Sequence, residues 1–537
     1  MPRQPTTTAA AGKPFALPAA WAALLLAAAT LLAYLPALHG GFIFDDNVFL
    51  TANPLIQAPD GLLRLWFGHE AADYWPVTSS TLWLEWRLWG LNAAGYHATN
   101  LILHVAEVLL FWALLRRLQI PGAFFAALLF GLHPVNAETV AWITERKNLM
   151  AMLFFLLSIF WFAGGRRSGY WLSLAAFALA MLSKGSVVVL PLILLGLLAW
   201  RRRLTAPGLA RLAPFFLVAG ALAFYEAQFS TVLTPDKMQS LNFLGRVLRA
   251  GAAVWFYLGK TVWPANLCFD YGQWSVQSAD FRWWLPLAAT LVATAVLWHW
   301  RRSWGRAPLF GWGYFCVALA PALGLIEVGF MQYSPVSNVY AHLALLGVTA
   351  LAGAGWARLD AALSPGAVSG VRYFLNGAAA AVAGGLAVLT WQQAGVYSDA
   401  TALYRDTVAR NPSSWAAHTN LGVMLYESDQ VAPAIMHLEK AVRLKPDFPE
   451  ARNDLGNAYF KARRPADAML QYEEALRLWP GYCEAHNNLG AVLAASGRLS
   501  EAIAQFKAAL QIDPDNPDAR QNLDHALAIE RDGPPLR

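Results

Sequence analysis

The sequence predicts an all-α chain: about eleven membrane-spanning helices over residues 1–395, followed by a soluble α-solenoid of helical repeats over residues 396–537. Three observations predict this. Apolar runs dominate the first part of the chain, basic residues gather in short segments between those runs, and the last part repeats every 34 residues.

Of the 537 residues, 57% are hydrophobic and only 14% are charged, with a mean hydropathy of +0.38. Soluble domains carry roughly 25% charged residues. The imbalance sits in the apolar part, while the C-terminal part has ordinary soluble composition, so two physical environments are implied. A helix needs about 20 apolar residues to cross the hydrocarbon core. Segments that qualify lie near 15–38, 97–115, 121–135, 148–163, 169–183, 186–200, 210–229, 282–300, 308–326, 337–356 and 373–394. The first run, Phe15 to Leu38, exceeds a signal-peptide core and shows no small-residue cleavage site, so it reads as a retained span.

The 40 Lys and Arg exceed the 34 Asp and Glu by 6. They cluster at Arg3 and Lys13, Arg116–Arg117, Arg166–Arg167, Arg201–Arg203, and Arg301, Arg302 and Arg306. All five clusters fall on one side of the predicted spans, which puts the N-terminus in the cytoplasm. Clusters confined to loops reflect membrane topology, and no nucleic-acid partner is expected. This orientation requires that Phe243 to Trp263 does not cross, so a re-entrant or interfacial helix is predicted there. An odd number of spans delivers the C-terminal part to the non-cytoplasmic face. A bacterial inner membrane with the repeats in the periplasm fits, and an endoplasmic reticulum membrane has the same topology.

Cys268, Cys316 and Cys483 lie far apart, with no CxxC pair or neighbouring histidine at zinc spacing, so neither a disulfide framework nor a zinc site is indicated. His97, His104 and His342 show no compact ligand spacing and read as satisfied helix-end histidines. No metal or other cofactor is assigned, and dependence on a divalent ion stays open.

In the C-terminal part Pro412, Pro446, Pro480 and Pro514 are 34 residues apart, as are Leu421, Leu455, Leu489 and Leu523. Gly422, Gly456 and Gly490 keep the same phase, followed by Ala434, Ala468 and Ala502, then Leu438, Tyr472 and Phe506. Small residues at fixed phase let two helices approach closely, and proline breaks the chain before the next pair. The pattern resembles the tetratricopeptide repeat, with three full repeats and a closing helix. Such repeats imply a concave surface for a peptide or protein, or a rigid spacer.

The strongest local chemical signal is the acidic pair in Phe44-Asp45-Asp46-Asn47, within the long first outer loop. A carboxylate just above the bilayer can take a proton from an attacking hydroxyl while its neighbour raises its basicity. The same residues also suit a solvated turn. Trp66, Trp75, Trp83, Trp86 and Trp89 suggest sugar stacking, yet tryptophan is enriched at membrane interfaces generally. Val77 to Trp89 is expected to lie on the outer surface as an amphipathic helix.

Further motifs follow in order: Tyr74-Trp75-Pro76, Asn100 to His104, His133-Pro134-Val135-Asn136-Ala137-Glu138, Glu145-Arg146-Lys147-Asn148, Ser183-Lys184, Tyr257 to Lys260, Trp263-Pro264, and Ser334-Pro335-Val336 leading to Tyr340 and His342. Together they resemble the transmembrane and tetratricopeptide-repeat branch of the GT-C glycosyltransferases, which includes eukaryotic O-mannosyltransferases. The resemblance covers nearly the whole chain. It implies an inverting transfer of a sugar, mannose-like, from a polyprenyl-phosphate carrier to an acceptor hydroxyl on the non-cytoplasmic face.

By that likeness Asp45 and Asp46 are the catalytic pair, with Asp45 as general base. His133 and Glu138 line the sugar site, Tyr340 sits in the late outer loop, and Arg146, Lys147, Lys184 and Lys260 are candidates for the lipid phosphate. Cations there would offset charge on the departing phosphate, although each also suits a headgroup anchor. The sequence departs from the family at Asn338-Val339-Tyr340, where relatives commonly carry charge. The implied partners are the donor lipid, membrane lipids, and an acceptor protein held by the repeats. Transfer to a lipid or glycan, and a non-catalytic scaffold, are alternatives. A transporter is disfavoured, since Glu107 and Glu226 are the nearest approach to an intramembrane ion site.

Overall fold

A computed structural model of the chain describes residues 18–229, 241–325, 329–363 and 369–532, and among these it is all-helical, without strands. Arg3 and Lys13 lie outside the described residues. Within the described residues, each of the eleven apolar segments contains an α-helix. They are α1 (Ala19–Ala33), α3 (Ala93–Arg117), α4 (Ala123–Gly131), α6 (Arg146–Ala163), α7 (Arg167–Met181), α8 (Leu190–Trp200), α9 (Ala213–Glu226), α11 (Trp284–His299), α12 (Arg306–Leu319), α13 (Asn338–Leu363) and α14 (Ser369–Val396). Between them lie the amphipathic α2 (Pro76–Trp89), the short α5 (Ala137–Ala141) and α10 (Phe243–Val262).

Six helices among the described residues are long and apolar enough to cross a membrane, and a seventh span arises if a bent pair counts as one. That pair is α4 with the helix Pro134–Ala141, bent by 45°. The segment read as 121–135 is therefore only the first half of a broken element. Pro134 removes a backbone donor at the break. Several other segments are shorter than read. At about 1.5 Å per residue, α12 with its 14 residues reaches about 21 Å, short of the roughly 30 Å core.

The bundle has two chemically distinct ends. At one, Arg117 lies over Phe160, Arg201 donates to the Ala163 carbonyl, Arg306 to the Trp200 carbonyl, and Arg211 sits against Phe162 and Tyr170. The basic loops of the sequence thus converge in space. At the other end Val77 N–H donates to Leu182 O, Thr78 to Ser183 O, and Trp75 to Glu226. The helix α10 keeps to this second end: Arg249 donates to Gly324 O, Trp255 to Pro286 O, and Thr261 O meets His133.

The C-terminal helices are α15 (Ala400–Arg410), α16 (Trp415–Glu427), α17 (Val431–Leu444), α18 (Pro449–Lys461), α19 (Pro465–Leu478), α20 (Cys483–Ala495), α21 (Leu499–Ile512) and α22 (Pro517–Asp532). They form the expected solenoid, and its period has a steric cause. A methyl added at Gly422, Gly456 or Gly490 would sit 2.6 Å from Leu438, Tyr472 or Phe506, respectively. The facing Ala434, Ala468 and Ala502 are fully buried. Glycine on the first helix and alanine on the second therefore set the spacing at which the large residue of each pair can fit.

The solenoid is fused to the second end of the bundle. Tyr397, Leu403 and Tyr404 pack with Ile43 and Phe269, and Asn411 donates to the Asp270 carbonyl. Ser414, which caps α16, also hydrogen-bonds the Asp270 carboxylate.

Candidate active site

The acidic pair sits at that same end, beside the root of the solenoid. Phe44 holds a left-handed φ of +47°, unfavourable for a residue with a side chain. Its ring is fixed by Trp142, Phe269 and Tyr333 at centroid distances of 5.5, 5.2 and 5.9 Å. The reversal turns the next two carboxylates toward the 142–147 segment. Strain of this kind persists where the surroundings over-determine it.

The two aspartates have different surroundings. Asp46 is fully buried, and its carboxylate accepts from Ile43 N–H at 2.9 Å and Thr144 N–H at 3.0 Å. Both oxygens are committed to backbone. Asp45 keeps 20% of its side chain exposed, accepts from Thr144 Oγ1 at 2.7 Å, and faces Lys147 Nζ at 3.9 Å. Burial pushes the Asp46 carboxyl up to about 7, with the charge of Asp45 adding to the effect. Asp45 is also raised by burial, while Lys147 and the Thr144 hydroxyl pull it back.

Around Asp45 the charges alternate. Lys147 Nζ is 2.9 Å from Glu145 Oε1, and Lys184 Nζ is 3.5 Å from Glu145 Oε2. Asn148 also donates to Glu145. The Lys147 ammonium lies over the Trp75, Phe49 and Trp142 rings at 4.7, 5.4 and 5.7 Å, so aromatic faces help hold the cation. Lys184 lies 6.0 Å over Tyr340. Asp73 stands within electrostatic reach of Asp45, Lys147 and Lys184, and burial raises its carboxyl. Burial lowers the Lys184 ammonium, with Glu145 opposing.

Of the residues singled out in the sequence, Asp45, Asp46, Lys147, Lys184 and Tyr340 meet here. The others stand apart. Glu138 accepts from Ser337 Oγ at 2.9 Å, Asn338 Nδ2 at 2.8 Å and Tyr397 OH at 3.1 Å, which ties α5 to the start of α13 and the end of α14. Asn338, which stands where relatives commonly carry charge, thereby serves Glu138 and also accepts from Tyr271. His133 accepts from Val135 N–H at Nδ1, so Nε2 carries the proton and donates to Thr261 O at 3.1 Å. It is a cap at the break of the bent pair.

Arg146 is fully buried; its guanidinium pairs with Glu85 and donates to Asn100 Oδ1 and Tyr96 O, both at 2.8 Å. Lys260 donates to the Ala265 and Asn266 carbonyls. Arg146 thus ties α6 to α2 and α3, and Lys260 closes the turn after α10. The sequence reading passed over Glu145, Thr144 and Asp73. Glu145 lies inside the Glu145-Arg146-Lys147-Asn148 run, beside the more conspicuous cations; Asp73 directly precedes Tyr74-Trp75-Pro76.

Known proteins resemble this chain. A tetratricopeptide-repeat family model matches residues 453–517, and a second TPR-repeat model matches residues 422–462. Protein O-mannosyl-transferase F38B6.6 of Caenorhabditis elegans is 25% identical over 458 residues, covering 79% of this chain and 63% of that protein. Protein O-mannosyl-transferase TMTC4 of Homo sapiens is 31% identical over 205 residues, 31% of this chain and 28% of that protein. The chain thus spans less than two thirds of the length of these curated relatives. Among solved structures, the crystal structure of MamA is 26% identical with a TM-score of 0.23, covering 25% of this chain and 72% of that one. The chain is a homologue of the proteins named protein O-mannosyl-transferases and carries tetratricopeptide repeats in its C-terminal region.

Proposed function

We propose that the chain is a membrane glycosyltransferase of the GT-C type that moves a mannose-like sugar from a polyprenyl phosphate to a Ser or Thr hydroxyl of a protein held by the repeats. The observation that carries this reading is the setting of Asp45. It is the partly open carboxylate of the pair, flanked by a hydroxyl and an ammonium, at the foot of the solenoid.

Asp45 takes the proton of the acceptor hydroxyl as its oxygen attacks the anomeric carbon. The bond from that carbon to the phosphate oxygen breaks, its electron pair stays on the phosphate, and the configuration inverts. Lys147 and Lys184 offset the charge that develops there, and Glu145 keeps both ammonium groups in place between turnovers. Asp46 acts through Asp45 by fixing the backbone at Ile43 and Thr144, a positioning role. Arg146 and Lys260 have structural roles, and Glu138 holds α5 to the start of α13 and the end of α14 through its three donors. The donor side lies on the non-cytoplasmic face, a bacterial inner membrane with periplasmic repeats being the simplest setting. Convergence of the basic loops at the opposite end of the bundle supports that orientation.

The test is transfer in membranes supplied with polyprenyl-phosphate mannose and total acceptor protein. The expected result is wild-type incorporation into protein that falls at least a hundredfold in Asp45→Asn. Label appearing only in lipid or glycan would move the acceptor class, and label unchanged in Asp45→Asn would remove Asp45 from the chemistry.

A further inference from the structure

A second polar cluster lies inside the bundle, away from Asp45. His104 and Glu107, one turn apart on α3, meet His342 on α13, and all three are buried. One donor atom from each falls within 4.8 Å of the others. Glu107 Oε2 is 3.0 Å from His104 Nδ1 and 3.3 Å from His342 Nε2, and Glu107 Oε1 is 3.4 Å from that same Nε2.

The neighbours fix which atom of His342 carries hydrogen. Asn136 donates from Nδ2 to the Phe130 carbonyl at 2.8 Å, and a carbonyl only accepts. Asn136 Oδ1 therefore faces His342 Nδ1, 2.8 Å away, and Nδ1 must supply the proton of that bond. In the neutral ring, Nε2 then presents a lone pair to the Glu107 carboxylate, nearly equidistant from both oxygens. Two acceptors in contact at a buried site require a cation between them.

A proton would serve, and the three ligand atoms, all within 4.8 Å of one another, also have the spacing of a metal site. Tetrahedral ligands at zinc bond lengths lie about 3.3 Å apart, and the nearest approaches here are 3.0 and 3.3 Å. The second nitrogen of His342 is held by an amide carbonyl, the arrangement that orients a metal-bound imidazole.

We infer that His104, Glu107 and His342 bind one divalent cation of the zinc class through two imidazole nitrogens and a carboxylate. The ion ties α3 to α13 and, through Asn136, to the segment that carries Glu138. Its role is to position that segment. His104 and His342, set aside in the sequence for want of compact ligand spacing, meet only in the fold, since His342 follows Glu107 by 235 residues.

The full chain should be purified in detergent with a tag free of histidine, in chelator-treated buffer, and its metal measured by mass spectrometry. About one zinc per chain is expected, with an X-ray absorption first shell of nitrogen and oxygen at about 2.0–2.1 Å. Glu107→Gln should lose at least nine tenths of it. As a control that needs no variant, stripping the wild type with a strong chelator should lower its melting temperature and added zinc should restore it. Metal below a tenth of an equivalent after zinc supplementation would leave a proton between Glu107 and His342 and overturn the inference. So would sulfur in the first shell, or full metal content in a folded Glu107→Gln protein.

Discussion

Arg146 and Lys147 are adjacent in sequence, and the structure gives them opposite tasks, so exchanging each for methionine separates stability from activity. In Arg146→Met, Glu85 is left charged at a buried site, and Asn100 Oδ1 and Tyr96 O each lose a donor at 2.8 Å. Removing one partner of a buried ion pair costs about 3–5 kcal/mol, because the remaining charge stays out of water unpaired. The two orphaned acceptors add to that cost. A loss of this size lowers the melting temperature of a large domain by roughly 5 °C or more.

The assay is thermal unfolding of the detergent-solubilised chain, read by intrinsic fluorescence and by loss of the monodisperse peak. Arg146→Lys should fall between wild type and Arg146→Met, since one ammonium cannot reach three separated acceptors. The double variant Arg146→Met with Glu85→Met should recover part of the loss, because no charge is left alone. Lys147→Met, in contrast, should reduce transfer by about 10- to 100-fold, equivalent to about 1.4–2.8 kcal/mol of transition-state stabilisation, with a smaller thermal shift than Arg146→Met. A folded Arg146→Met protein of wild-type stability that has lost transfer would refute this division and return Arg146 to the reacting phosphate.

Transfer should rise with pH on the acid side, since Asp45 takes a proton only as the carboxylate. Lys147 pulls the Asp45 carboxyl down, so Lys147→Met should move the acid limb of the rate profile to higher pH. Asp46 is raised from 3.8 to about 7 in the folded chain; its contribution to stability is complete below its unfolded value and is lost as pH rises through about 7. Melting temperatures followed across that range should therefore decline less in Asp46→Asn, a variant less stable throughout because one of the Ile43 and Thr144 N–H groups loses its acceptor. In the solenoid, Gly456→Ala places a methyl 2.6 Å from the Tyr472 ring and should cost about 1–3 kcal/mol, seen as faster proteolysis confined to the repeats of the full chain. Glu138→Gln should be tolerated far better than Glu138→Ala, because glutamine keeps an acceptor for Asn338 and Tyr397 while the Ser337 hydroxyl can turn to accept; expression and thermal stability compare the two.

The repeats were legible because their period is written in residue size: glycine opposite Leu438, Tyr472 or Phe506, alanine at the second-helix contact. The apolar helices were legible from hydropathy, but their lengths were not. Where Pro134 breaks the chain, or where α12 ends after 14 residues, tertiary packing sets the boundary and hydropathy continues past it. At the site, the Asp45–Asp46 pair announced itself, yet the partition between them depends on which carboxylate meets the Ile43 and Thr144 amides, and those contacts span up to 98 residues. The cations were the least legible. Arg146, Lys147, Lys184 and Lys260 look alike in sequence, and only their partners, Glu85 and Asn100 for one and Glu145 for two others, separate a strut from a site. Glu145 was hidden by the same run that drew attention to its neighbours.

The central claim is that Asp45 serves sugar transfer to protein, and the most direct measurement is the intact mass of acceptor proteins from cells carrying wild type, Asp45→Asn or an empty vector at matched membrane expression. A hexose-sized increment is expected with wild type and absent from the other two. The same increment in Asp45→Asn would contradict the role of Asp45, and no increment in any sample would contradict a protein acceptor.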